Sequence, residues 1–180
     1  MKKLLLYLAL LLLTQCSKCK NDPKPADPSS QLPPATQTGA NTFGCLVNGQ
    51  PFTPQGNTGT SNFNASYDPT FRGGTLDIRA YNCSGDCTNA KRTILLGGEG
   101  INKVGTYPLV SNGQQSASFF DRSKPFPCSE YRGNGGDYIN GTLIISRLDG
   151  GLVSGTFSFK AAHAGCDTLK ITQGRFDAKL

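Results

Sequence analysis

Apolar residues are arranged along this chain in two different ways. Leu4 to Leu13 form a nearly unbroken apolar run, whereas later in the chain apolar residues recur at alternate positions in short stretches cut by glycine and proline. The clearest alternation lies in 151–161, where Val153, Gly155, Phe157, Phe159 and Ala161 share one face and Ser154, Thr156, Ser158 and Lys160 the other. That pattern predicts a half-buried antiparallel strand, with Gly141 to Leu148 as its hairpin partner and Asp149-Gly150 as the turn. Leu76, Ile78 and Ala80 alternate with Asp77 and Arg79, Thr93 to Leu96 suits a buried central strand, and Phe43 to Val47 begins the fold.

The C-terminal stretch carries a conflict of register. Leu169 and Ile171 occupy odd positions, while Phe176, Ala178 and Leu180 occupy even ones. A bulge near Gln173-Gly174 restores a single buried face by inserting one residue, and glycine suits the left-handed conformation such bulges use. No stretch after the leader keeps apolar residues at helical spacing. The elements predict an all-β antiparallel β-sandwich of about 8–10 strands over residues 43–180, with a closed β-barrel as the alternative.

Lys2 and Lys3 followed by an apolar run of about ten residues form a signal-peptide pattern over 1–15, too short for the roughly 20 residues of a membrane span. The run ends at Leu13-Thr14-Gln15-Cys16, which resembles the lipobox of bacterial lipoproteins, except that Gln15 stands where a small residue is usual. The resemblance implies lipidation at Cys16, which would become the mature N-terminus and anchor the chain to a membrane. Residues 16–42 are rich in Pro, Ser and Thr and poor in large apolar side chains, and are expected to form a disordered tether.

Seven cysteines suit an oxidising compartment. With Cys16 assigned to lipid, Cys83 and Cys87 in CSGDC are near enough for a local bridge. Cys19, Cys45, Cys128 and Cys166 then allow three pairings; Cys128 with Cys166 is favoured, leaving Cys45 buried and free or paired elsewhere. A zinc site from Cys83, Cys87, Cys128 and Cys166 competes, but lacks a second closely spaced pair.

The net charge of +6 is scattered rather than clustered, which argues against nucleic acid as a partner. His163 is the sole histidine, read as a solvated loop residue rather than a member of a triad. The carboxylates, among them Asp77, Asp86, Glu99, Asp121, Glu130, Asp137, Asp149, Asp167 and Asp177, show no spacing that pairs two for acid–base work. Arg132 to Asp137 reads as a hairpin connection rather than a calcium loop. Arg175 and Asp177 are expected to form a surface ion pair. Tyr67, Phe71, Phe119, Phe120, Tyr131 and Tyr138 are candidates for an aromatic platform, although adjacent Phe119 and Phe120 must point to opposite faces. No catalytic, metal-binding or cofactor-binding residue is assigned.

NTFGCLVNGQPFTP at 41–54, GTLIISRLD at 141–149, SGTFSF at 154–159 and ITQGRFDAKL at 171–180 resemble a family of uncharacterised lipoproteins of Bacteroidota-type bacteria that carry a domain of unknown function. The resemblance implies a lipoprotein of the cell envelope, at the outer membrane. Together these readings lead to a non-enzymatic binding or structural module with a protein or carbohydrate ligand. An extracytoplasmic hydrolase acting on glycans is the alternative.

Overall fold

The computed structural model describes residues 27–56, 59–83, 87, 91–133 and 135–180. Cys16, Cys19 and Asp86 lie outside them. Eleven strands are found among the described residues: β1 (Thr42–Val47), β2 (Gln50–Phe52), β3 (Phe63–Asp68), β4 (Thr75–Asn82), β5 (Arg92–Gly98), β6 (Gly105–Val110), β7 (Gln115–Asp121), β8 (Glu130–Arg132), β9 (Tyr138–Asp149), β10 (Leu152–Ala162) and β11 (Leu169–Lys179). They form two antiparallel sheets, one ordered β2-β1-β11-β10-β9-β6 and the other β3-β4-β5-β7-β8. The sheets pack face to face and do not close, so the architecture is a sandwich and not a barrel.

The alternating pattern sets which faces meet. Leu76, Ile78, Ile94, Leu96 and Phe119 from the smaller sheet pack in one core with Phe43, Leu143, Phe157, Phe159 and Phe176 from the larger. Phe43 bridges the sheets, its ring 5.2 Å from Phe157 and 5.5 Å from Phe63 across the gap. Thr93 to Leu96 lies in the middle strand of the smaller sheet, as its continuous apolar run predicts.

The β9–β10 hairpin forms, but its turn is one residue farther along than expected. Asp149 pairs with Leu152, so Gly150 and Gly151 are the two loop residues, with φ of 57° and 75°. Consecutive positive φ values are what a two-residue primed turn needs. The bulge in β11 also forms. Phe157 pairs with Gly174 and Phe159 with Ile171, so one residue of β10 faces two of β11. On the other side Gly44 pairs with Arg175 and Leu46 with Thr172, which places the same extra residue against β1.

The left-handed position is Gln173, at φ 52°, rather than Gly174. Gly174 answers a different constraint: a Cβ there would lie 2.6 Å from the Phe157 ring. Glycine is required because the ring lies against the backbone.

The largest departure from the sequence reading lies before β1. Residues 27–41, expected as tether, form an ordered strap over the outer face of the larger sheet. A 3-10 turn at Pro28–Gln31 is capped by the Asp27 carboxylate, which accepts from Ser29 N at 2.9 Å. Leu32 is buried, and Pro33 packs where a Cβ on Gly44 would come within 2.6 Å of its Cδ. Arg175 Nη1 donates to the Pro33 carbonyl at 3.3 Å, and Arg147 donates to that of Gln37. A Pro- and Thr-rich segment can be held this way because polar contacts supplement the limited apolar burial of Leu32 and Pro33.

Asp177 is the centre of those contacts. Its carboxylate is 1% exposed and accepts from Thr36 Oγ1 at 2.7 Å, Thr38 N at 2.9 Å, Gly39 N at 2.8 Å, Ala40 N at 3.1 Å and Ser154 Oγ at 2.7 Å. The expected surface ion pair with Arg175 is therefore absent: the strap covers this face, and Arg175 reaches Pro33 and Gln173 instead. Burial opposes ionisation of Asp177, but the donors from Thr36, Ser154, Ala40 and Thr38 outweigh it and hold the carboxyl well below the usual carboxylate range.

Substitutions at the Asp177 clamp and at the β11 bulge test this account. Asp177→Asn leaves donors facing an amide, and destabilisation of about 2–4 kcal/mol is expected in urea unfolding. Because the folded-state pKa is depressed, the carboxylate's contribution is fully present above the unfolded value near ~4 and is lost as pH falls below it. The gap between wild type and Asp177→Asn should therefore narrow on acidification below about pH 4; a constant gap would refute the linkage. At the bulge, Gly174→Ala is expected to cost about 1–3 kcal/mol, while Gln173→Gly should be neutral or stabilising because it relieves the left-handed residue. The reverse ranking, with Gly174→Ala tolerated and Gln173→Gly destabilising, would contradict both assignments.

Candidate functional site

The strap gives the two outer sheet faces different surroundings. The larger sheet is partly roofed, leaving a groove of about 440 Å³ between Ala35 and Ile144, Gly174 and Arg175. On the smaller sheet, strand alternation turns Asp77, Arg79, Thr93, Leu95, Ser118, Phe120, Glu130 and Arg132 outward.

Three adjoining grooves cross this second face. One lies over Gly97, Gly98, Asp77 and Ser118. The next, about 510 Å³, shares Asp77, Arg79 and Leu95 with it and adds the hydroxyl and amide side chains of Thr60, Ser61, Asn64 and Ser66. The third, about 660 Å³, continues through Lys91 and Thr93 to Phe120, Arg122, Lys124, Ser129, Glu130 and Arg132. Glycine is required at the floor of the first groove, because a Cβ on Gly97 would lie 2.1 Å from the Leu76 carbonyl oxygen.

Charges on this face are held in defined positions. Arg79 makes two hydrogen bonds to Asp77, at 2.8 and 2.6 Å, and these bonds, with the Asp77 charge, hold its proton more firmly than usual. Arg132 Nε donates to Glu130 at 2.7 Å, and its guanidinium lies 4.9 Å over the Phe120 ring. Lys91 Nζ sits 4.2 Å over the Tyr81 ring. Each carboxylate pairs with the arginine two residues along its own strand, as same-face positions require.

At the end of the sandwich Asp137, 8% exposed, binds His163 Nδ1 and accepts from Arg132 N at 2.6 Å. His163 is thus a partly buried partner of Asp137 rather than a free loop side chain. Ser111 Oγ donates to the Asp137 carbonyl at 2.6 Å and accepts from Ile139 N at 2.7 Å, so this hydroxyl is engaged in backbone bonding. The 132–137 connection is closed by the same carboxylate; its Asn134 lies outside the described residues.

The sulfurs are consumed in bridges. Cys83 joins Cys87 with Cα atoms 5.0 Å apart, and Cys128 joins Cys166 at 5.5 Å. This removes the zinc alternative, and Cys45 is free and buried among the described residues. Burial pushes the Cys45 thiol up, with the Arg92 charge opposing it, which leaves a packing residue rather than a nucleophile. No group of three or more metal-ligating side chains occurs among the described residues.

The predicted aromatic platform does not assemble. Tyr67, Phe119 and Tyr131 turn toward the core, and Tyr131 OH donates to the Asp167 carbonyl at 2.6 Å. Burial, then the charges of Asp167 and Asp137, push that hydroxyl up. Phe120 faces the groove, Phe71 is stacked by Arg72 in the β3–β4 connection, and Tyr138 is exposed at the start of β9 in the other sheet. The convergence of Lys91, Arg122 and Lys124 was missed because they lie in connections; the one local signal was the outward alternation of Glu130 and Arg132.

No helix among the described residues is long and apolar enough to cross a membrane. No curated protein and no solved structure matches the chain. A family model described as a domain of unknown function, DUF6252, matches residues 54–178, from just after β2 to the end of β11. With well over half its length matched, the chain belongs to the DUF6252 family.

Proposed function

We propose that this protein is a non-enzymatic binding module of the bacterial cell envelope, exported, lipidated at Cys16, and presenting the outer face of its smaller sheet to a ligand. The observation that carries the reading is the asymmetry of the two faces: a strap roofs one, while the other keeps three adjoining grooves lined by hydroxyl, amide and charged side chains. The two disulfides support maturation in an oxidising compartment. Engagement of Asp77 by Arg79 and of Glu130 by Arg132 favours binding over acid–base chemistry on this face.

Cys16→Ala is expected to abolish labelling by radioactive palmitate and to shift the protein from the detergent phase to the aqueous phase on Triton X-114 partition. Undiminished labelling would contradict lipidation at this residue. For the binding face, titration of the protein with soluble envelope glycans should move amide resonances of β4, β5, β7 and β8 without releasing cleaved product. Shifts centred on the strapped face or on His163, or turnover of the glycan, would overturn the reading.

A further inference from the structure

The third groove collects four cations from three separate segments. Lys91 enters just before β5, Arg122 and Lys124 lie in the turn after β7, and Arg132 is on β8. The backbone fixes these segments against one another. Arg122 N donates to the Lys91 carbonyl at 3.1 Å, Lys124 N to that of Asp121 at 3.0 Å, and Asp121 N to that of Ser129 at 2.8 Å. The Cys128–Cys166 bridge ties the same connection to the loop before β11.

Among the described residues Glu130 is the carboxylate in the groove lining, and Arg132 already occupies it. Asp121, beside Arg122, turns its carboxylate to Ser123 N at 3.0 Å. Lys124 has no carboxylate partner among the described residues, and Lys91 is seated on an aromatic ring rather than beside an acid. Among the described residues the groove therefore carries a local excess of positive charge, which concentrates anions. Arg132 is preorganised: Phe120 supports its plane and Glu130 holds Nε, which leaves the guanidinium's terminal nitrogens as a fork for a carboxylate.

We propose that this groove binds a linear acidic polysaccharide, with Lys91, Lys124 and Arg132 receiving its carboxylates. The inference rests on the reading of this sheet face as the ligand surface and names the ligand class. Charge complementarity selects an anion. The adjoining groove selects a hydroxyl-rich chain, because the site runs on through Lys91 and Thr93 to Thr60, Ser61, Asn64 and Ser66. Five strands at ~4.8 Å spacing make this face about 19 Å across, an extended track for a polymer. A neutral glycan would offer Lys91 and Lys124 no counter-charge, and stacking on Phe120 is pre-empted by Arg132. A bilayer surface would make no use of the recessed hydroxyl and amide lining.

The test uses the full chain in detergent with four probes measured by calorimetry: polygalacturonate oligomers, a neutral glucan of similar length, inorganic polyphosphate, and vesicles of phosphatidylglycerol with phosphatidylethanolamine. Polygalacturonate is expected to bind, more weakly as salt rises. The pair Lys91→Glu and Lys124→Glu should weaken binding by about tenfold or more. Lys160→Glu with Lys170→Glu, exposed positions on the larger sheet, should leave it unchanged. If the first pair lowers the melting temperature, Lys91→Gln with Lys124→Gln replaces it, with the same direction expected.

Equal weakening by both pairs would reduce the effect to diffuse charge and overturn the proposal. So would binding of polyphosphate or vesicles without polygalacturonate, or no binding of any probe. Binding of the neutral glucan on the same face, indifferent to Lys91 and Lys124, would overturn the acidic specificity while leaving the binding-module reading intact. Binding mapped to the strapped face would overturn both.

Discussion

A buried carboxylate must find donors or become neutral, and Asp177 finds its donors in a stretch of chain about 140 residues earlier. Thr36, Thr38, Gly39 and Ala40 converge on it from one side and Ser154 from the other. The desolvation cost of a charge in this position is offset only if the strap is in place. The charge thus dictates the path of residues that have little apolar surface of their own. Gly39 belongs to the same device. Its φ of 73° turns the amide toward the carboxylate, and a Cβ there would lie 2.4 Å from Leu152.

The division of labour between the sheets follows from this clamp. In the larger sheet, glycines admit bulky neighbours: Gly44 takes Pro33 on its strap side, while Gly155 and Gly174 let the rings of Phe176 and Phe157 lie against the backbone. Those rings join Phe43 in the aromatic centre of the core. Among the described residues the smaller sheet has no such cover. Its outward residues are short hydroxyl side chains interrupted by charged pairs, and its cations gather where β5, β7 and β8 meet their connections. One sheet therefore fastens the N-terminal segment, and the other offers a surface.

Much of this was legible in the sequence wherever periodicity carried the information. The β9–β10 hairpin, the central position of the Thr93 stretch and the one-residue slip in β11 all follow from which positions must share a buried face. The turn moved by one residue because Asp149 is still paired, a detail that depends on the bulge elsewhere in the hairpin: Ser154 faces Arg147 while Gly155 faces Ile145. The strap was illegible because composition reports apolar burial, and this segment is held by hydrogen bonds to a carboxylate far away in sequence. The same gap turned Arg175 and Asp177 into an expected ion pair: their spacing correctly placed them on one face but could not reveal that the face is covered. The basic groove was invisible for a related reason, since Lys91, Lys124 and Arg132 come together only through the pairing of β5, β7 and β8.

Membership of the DUF6252 family adds the extent of the domain rather than a chemistry, and the matched region begins after the strap and β1. The physical account therefore turns on whether Asp177 holds the strap. Amide hydrogen exchange at Thr38, Gly39 and Ala40 measures this most directly, because these N–H groups donate to the carboxylate and to no strand. The account predicts protection approaching that of the core strands β10 and β11. Exchange at the rate of an open chain would contradict it, and with it the asymmetry from which the binding face is inferred.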